Sequence, residues 1–329
     1  MQRWLSSFLA VLMLVSAQPV LAAQPEQGVV KDFVNPTPPR CNNPEGIAAS
    51  PNGLIYAAGL SGNVCVYTLS GELTRVIPVV AGHALLGELF VAGDGLYVAD
   101  NNAGFSGGRL IRVDPGSGAV TELATGFRAI NAITQDHHGT LYVSDSFANP
   151  ATQEGEIFTV SPSGGGKALW AHSPLLAPHG FPPFGANGVA FDRTQSFLYV
   201  ANTADDRILR IVVNEDGSAG AISIFADGAA IDATQHTTQA LDGADGIQFD
   251  VKGDLYVCAN QANEIQVLSP GGELIARYGR NPGDDRLDFP ASPIFHERGL
   301  YIANLALETP GGGKLSVLGV PLPGAPIAH

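Results

Sequence analysis

Positive charge is scarce in this chain. Seventeen Lys and Arg stand against 31 Asp and Glu, a formal net charge of −14 at pH 7 over 329 residues. Recognition of phosphate needs clustered cations, so nucleic acid and anionic membrane surfaces are not expected partners. No block of like charge exists, and the acidity reads as solubility rather than an interaction tail. Amphipathic helical periodicity is nearly absent beyond the N-terminus. No later apolar stretch is long enough to span a bilayer. There is also no Gly-x-Ser-x-Gly elbow, phosphate loop or Cys-x-x-Cys pair. Cysteine is limited to three residues. Cys41 precedes the first inner strand and Cys65 falls in the third strand of the same repeat. A Cys41–Cys65 bridge is left open, because a strand lies between them and Cα atoms more than about 7 Å apart cannot be joined. Cys258 reads as a small buried hydrophobe.

Gly and Pro, by contrast, are abundant at 40 and 23 residues. Strings such as Ser50-Pro51-Asn52-Gly53 and Asp114-Pro115-Gly116 cut the chain into short runs typical of strands. The N-terminus is the exception. Arg3 is followed by an apolar stretch from Trp4 to Val20, and small residues at Ala22 and Ala23 suit cleavage. Residues 1–22 are therefore expected to be a secretory signal peptide. The mature protein is expected to be exported to the periplasm or the medium, without membrane insertion.

Six segments end in nearly the same strand, at Tyr56, Tyr97, Tyr142, Tyr199, Tyr256 and Tyr301, which is six of the 8 tyrosines. A repeat of this size, built of short alternating strands, is the signature of a β-propeller. Residues 23–329 are expected to form one all-β domain, a six-bladed propeller of four-stranded antiparallel blades. The sixth repeat is one strand short, because three prolines follow Val320. The segment Val29 to Val34 is expected to supply that strand and close the ring.

A propeller brings equivalent positions of distant repeats to one axis. About eleven residues before each repeat tyrosine stand Glu45, Leu86 or a neighbour, Asn131, Asn187, Asp245 and Ser292. Four of the six carry carboxylate or carboxamide oxygens. Turn chemistry would account for the Asn-Gly and Asp-Gly pairs but poorly for Glu45. Oxygen ligands on separate elements are what a hard divalent cation requires: Ca²⁺ first, with Mg²⁺, Mn²⁺ or Zn²⁺ as alternatives. The loops entering these strands carry His83, His179 and His236. The long loop 172–186, rich in Pro and Phe, is placed to wall the channel mouth.

Glu45-Gly46, Asn187-Gly188 followed by LYVAN, and Asp245-Gly246 followed by LYV resemble the senescence marker protein/gluconolactonase family. That resemblance implies a six-bladed propeller with one divalent metal at the axis. By it, Glu45, Asn187 and Asp245 would be metal ligands, with Asp245 also the candidate general base. Asn131 matches the substrate-side asparagine. Arg128 stands three residues before it, a departure from the usual spacing, and His179 joins the expected substrate side. Glu45-Gly46-Ile47 also departs from the common Glu-Gly-Pro. The chain further resembles metal-free repeats of the NHL type and strictosidine-synthase-like propellers. The expected function is hydrolysis of a lactone or related ester, a small-molecule substrate. The alternative is a non-catalytic propeller that binds a ligand or protein with a structural metal or none.

Overall fold

The structure is a computed structural model that describes residues 24–279, 286–307 and 312–327. The expected signal segment 1–22 lies outside them. Six four-stranded antiparallel sheets form the blades of a propeller. Blade one is built of Pro44–Ala49, Leu54–Gly59, Asn63–Thr68 and Leu73–Pro78. The inner strands of the other five are Ala84–Val91, Ile130–Gln135, Ala186–Phe191, Ala244–Phe249 and Pro290–His296. Each inner strand touches the next around the axis, and the sixth touches the first.

The turns follow from their residues. In Ser50-Pro51-Asn52-Gly53, Gly53 takes φ 81° and its N–H donates to the Ser50 carbonyl at 3.0 Å. A residue with a Cβ is strained there. The ring closes as expected. Val30–Val34 pairs antiparallel with Lys314–Gly319, Val30 opposite Leu318, and supplies the fourth strand of blade six.

The repeat tyrosine acts between blades. All six are buried, at most 7 % exposed. Four of them pack on a phenylalanine at the end of the next inner strand: Tyr56 on Phe90, Tyr142 on Phe191, Tyr199 on Phe249 and Tyr256 on Phe295, with ring centroids 4.9–5.3 Å apart. Such aromatic pairs contribute about 0.5–1.5 kcal/mol each beyond the area they bury. At the closure the pattern changes, and Tyr301 packs edge-on against Phe33 of the N-terminal strand at 4.9 Å.

The chain after Val320 forms no blade strand, in keeping with its prolines. It crosses the end of the channel instead. Val251 N–H donates to the Pro323 carbonyl at 3.0 Å and Ala325 N–H to the Phe249 carbonyl at 2.8 Å. Ile327 packs against core clusters on two sides of the ring. This closes the channel where the inner strands end.

Cys41 and Cys65 are joined, with Cα atoms 6.0 Å apart. The intervening strand does not separate them, because the 3₁₀ turn Pro39–Cys41 runs along the end of the blade against both Leu54–Gly59 and Asn63–Thr68. Cys258 is free and buried. One helix, Gly228–Gln235, appears where almost none was expected. Asp227 caps it by accepting from Ala230 N–H at 3.0 Å. It occupies part of the long step between Tyr199 and Tyr256. Among the described residues no helix is long and apolar enough to cross a membrane.

Candidate functional site

Every inner strand breaks register near its start. The shifts fall between Pro44 and Gly46, Leu85 and Glu88, Ile130 and Ile133, Ala186 and Val189, Ala244 and Ile247, and Pro290 and Ser292. A β-bulge re-aims one side chain and twists the strand. The residues at the breaks are Glu45, Leu86, Asn131, Asn187, Asp245 and Ala291.

The glycines that follow Glu45, Leu86, Asn187 and Asp245 have a packing reason, whereas Asn131 is followed by Ala132. A Cβ on Gly46 would sit 2.0 Å from the Leu86 carbonyl oxygen, and one on Gly188 would sit 2.3 Å from that of Asp245. Gly87 meets Asn131 and Gly246 meets Ala291 in the same way. The next inner strand fills the space a side chain would need. Turn chemistry is therefore not what selects these pairs. The sixth position also changes: the chain of contacts reaches Ala291, not Ser292, so blade six offers a methyl group at this level.

Glu45, Asn131, Asn187 and Asp245, each 4–5 % exposed, line one cavity of about 190 Å³ together with Thr203 and Asn260. Four blades thus deliver oxygen-bearing side chains to one floor. Arg128 and His179 do not line it. Arg128 is tied by Nη2 to Glu156 at 2.6 Å and to Asp145 at 3.4 Å, and its Nε donates to the Phe147 carbonyl at 3.0 Å. Buried carboxylates hold the Arg128 guanidinium outside the cavity lining. His179 Nδ1 lies 2.9 Å from Asp205, with the imidazole side chain 58 % exposed. His83 lies 2.7 Å from Asp100 in a similar pairing. Loop 172–186 does wall the mouth, through Pro182 and Phe184.

Neighbours fix the floor. Asn260 Nδ2 donates to Asp245 Oδ2 at 2.9 Å. Asn187 Nδ2 donates to Thr203 Oγ1 at 2.9 Å, and Thr203 Oγ1 donates to the Ala244 carbonyl at 2.8 Å. This leaves the Asn187 carbonyl oxygen as an acceptor. Burial pushes Asp245 up to about 7, against the hydrogen bonds from Asn260 and Asn187. Burial raises Glu45 well above the usual carboxylate range, and Asp245 and Glu88 raise it further. Glu45 Oε2 is buried with no hydrogen-bond partner.

Glu88 escaped the sequence reading. It follows Leu86-Gly87 by one position, so the search for a polar residue at the break passed over it. Neither of its carboxylate oxygens has a hydrogen-bond partner. Burial pushes it up to about 8.

Among the described residues no group of three or more His, Cys, Asp or Glu could hold a metal ion by itself. A cation site here must use carboxamide oxygens. Glu45, Asn187 and Asp245 meet that need with an oxygen-only donor set, the type preferred by Ca²⁺ and Mg²⁺ over Zn²⁺. Glu45 Oε2, buried and unpartnered, is what a cation would satisfy.

Residues 184–303 match the family model for the SMP-30/Gluconolactonase/LRE-like region. The chain resembles this family. The matched segment carries Asn187 and Asp245. Glu45 and Asn131 lie before it. No curated protein matches the sequence. Among solved structures, a gluconolactonase from Xanthomonas campestris is 18% identical, with TM-score 0.64 and 89% of each chain covered. A calcium-binding protein, regucalcin, from Agrobacterium tumefaciens is 16% identical, with TM-score 0.63, covering 90% of this chain and 98% of its own. A luciferin-regenerating enzyme is 14% identical, with TM-score 0.66, covering 92% of this chain and 99% of its own. At such identities the likeness is one of fold, and one fold serves many functions.

Proposed function

We propose that this protein hydrolyses a lactone or a closely related ester with the help of a divalent cation. The observation that carries the reading is the cavity floor, where Glu45, Asn131, Asn187 and Asp245 meet and Glu45 Oε2 is buried without a partner. Glu45, Asn187 and Asp245 would hold the cation, Ca²⁺ first. The likeness to a calcium-binding propeller supports that choice. When bound, the cation would supply Lewis-acid polarisation of the substrate carbonyl.

The chain's own groups do the rest. Asn131, whose side chain has no hydrogen bond to another described residue, orients the lactone. Asp245, held by Asn260, takes a proton from the attacking water. The water oxygen bonds to the acyl carbon, and the bond from that carbon to the ring oxygen breaks. The proton held by Asp245 passes to the leaving alkoxide, so the products add up to lactone plus water: one hydroxy acid.

Export belongs to the same proposal. The Cys41–Cys65 disulfide supports it, because such bridges persist in oxidising compartments.

The test is a panel of sugar and aliphatic lactones, assayed on the purified protein with Ca²⁺ and with chelator. Turnover that chelation abolishes and Ca²⁺ restores is expected. No turnover on any lactone with cation bound would leave a propeller that binds without catalysing.

A further inference from the structure

The floor of the cavity is polar, but its wall is not. Above Glu45 and Asp245 stand Leu86, Phe105, Phe184, Phe289, Leu305 and Leu307. They come from different connections: Phe105 from blade two, Phe184 from the loop entering blade four, Phe289 from the entry to blade six. Phe105 and Phe184 meet edge-on at 5.7 Å, and Phe147 backs them at 6.2 and 5.4 Å, so this side is a braced aromatic surface. At the rim, Leu307 is 52 % and Leu60 38 % exposed, and the neighbouring Phe181 reaches 79 %. Exposed large apolar side chains gathered at one opening mark a surface for an apolar ligand.

Among the described residues no Lys, Arg or His lines the cavity. Cations nearby on this face are engaged elsewhere: Arg109 with Asp100, Arg128 with Glu156, Arg207 with Asp227. A carboxylate or phosphate at the tail end of the substrate would meet only the hydrocarbon wall. Hydroxyls that reach past the floor would be buried against phenylalanine and leucine with nothing to bond them, and unpaired buried hydroxyls are strongly rejected.

We infer that the substrate is an aliphatic lactone with an unbranched alkyl tail, its ring on the Glu45/Asp245 floor and its tail along the Phe105–Phe184 wall. This inference rests on the lactonase reading for its chemistry and on the wall for its specificity. Hydrolysis follows the balance above: water adds to the acyl carbon, the ring ester bond opens, and the alkyl tail takes no part.

The experiment has two arms, both on the full mature chain with Ca²⁺. The first measures kcat/KM for γ-lactones with tails from methyl to octyl, and for glucono-δ-lactone. Each methylene moved from water to the wall is worth about a three- to fourfold gain. The series should climb by about that factor per carbon until the tail leaves the wall, with the sugar lactone at least a hundredfold below the best member. Phe184→Ser should flatten the climb, lowering the longest-tailed substrate about tenfold and the shortest much less. The second arm measures calorimetric binding of the matching γ-lactams, which resist hydrolysis. A rising lactam series without turnover of any lactone would sink the lactonase reading and uphold the apolar ligand class. A flat series in both arms, no lactam binding, or preference for the sugar lactone would overturn the inference, and the last would leave the lactonase reading standing.

Discussion

Stripped of cations, the floor should make this protein less stable as pH rises, opposite to the usual response of surface carboxylates. Burial pushes Asp245 up to about 7 and Glu88 up to about 8. Both pKa values are raised above those of the unfolded chain. Each group therefore contributes stability that is fully present below about pH 4 and is lost as pH rises through 7 to 8. Over that window the folded state binds the extra proton, and each group lowers stability by about 1.4 kcal/mol per pH unit. From pH 5 to 7 the loss from Asp245 alone is on the order of 3 kcal/mol. In a domain of roughly 300 residues, that corresponds to about 5 °C in Tm.

Carboxylates held low elsewhere, such as Asp227 beside Arg207, push the other way, so the variant must isolate the term. Asp245→Asn keeps an oxygen to accept from Asn260 and cannot ionise. Thermal melts of wild type and Asp245→Asn in chelator, from pH 5 to 8, give the difference directly. The wild type should lose about 5 °C relative to the variant across the range. Adding Ca²⁺ to the wild type should restore the loss, and by more at pH 7.5 than at pH 5, because the ion needs ionised carboxylates and binds only the folded state. A wild-type-minus-variant difference that does not move with pH would refute the buried-carboxylate account, whatever Ca²⁺ does.

Four further substitutions test the same account. Gly188→Ala places a Cβ 2.3 Å from the Asp245 carbonyl oxygen, so it should cost about 1–3 kcal/mol in denaturant melts and weaken Ca²⁺ binding. Gly271→Ala, whose Cβ would meet only Ser269 Oγ at 3.5 Å, should stay within about 0.5 kcal/mol of wild type. Asp245→Ala should abolish Ca²⁺ binding by calorimetry, whereas Asn131→Ala should keep the ion and lose turnover. Loss of binding in both would remove Asn131 from the substrate side.

Much of this was legible in the sequence because the repeat is geometric. A tyrosine recurring at blade spacing gave six blades, and Val29 to Val34 was the segment left to close them. Asn131, Asn187 and Asp245 could be aligned because each is followed at nearly constant distance by LYV. Glu88 and Ala291 could not. A bulge changes which residue of a strand faces the axis, and no residue type in Leu86-Gly87-Glu88 or Pro290-Ala291-Ser292 announces where the shift falls. Arg128 is a separate case. A cation next to a candidate site looks like a substrate ligand until Asp145 and Glu156, 17 and 28 residues later, are seen to close on it. The helix Gly228–Gln235 was hidden by its shortness and by its glycine and threonine.

The bulge ties the chemistry to the packing. It aims Glu45, Asn187 and Asp245 at the axis. The glycine beside each lets the neighbouring inner strand approach until its carbonyl sits where a Cβ would be. The floor residues are thus not carried on loops that can move independently. Asn187 cannot shift without moving the Gly188 contact to Asp245, and Asp245 cannot shift without moving the Gly246 contact to Ala291. The sixth inner strand touches the first, so the ring of inner strands holds these contacts in register. That rigidity is what a site with few ligands requires, since two carboxylates and a carboxamide bind a cation well only when held in place before it arrives. The wall is built the other way, from residues on separate connections. On the proposed reading, tail specificity could therefore change at Phe105, Phe184 or Phe289 while the floor, fixed by the inner strands, kept the same reaction.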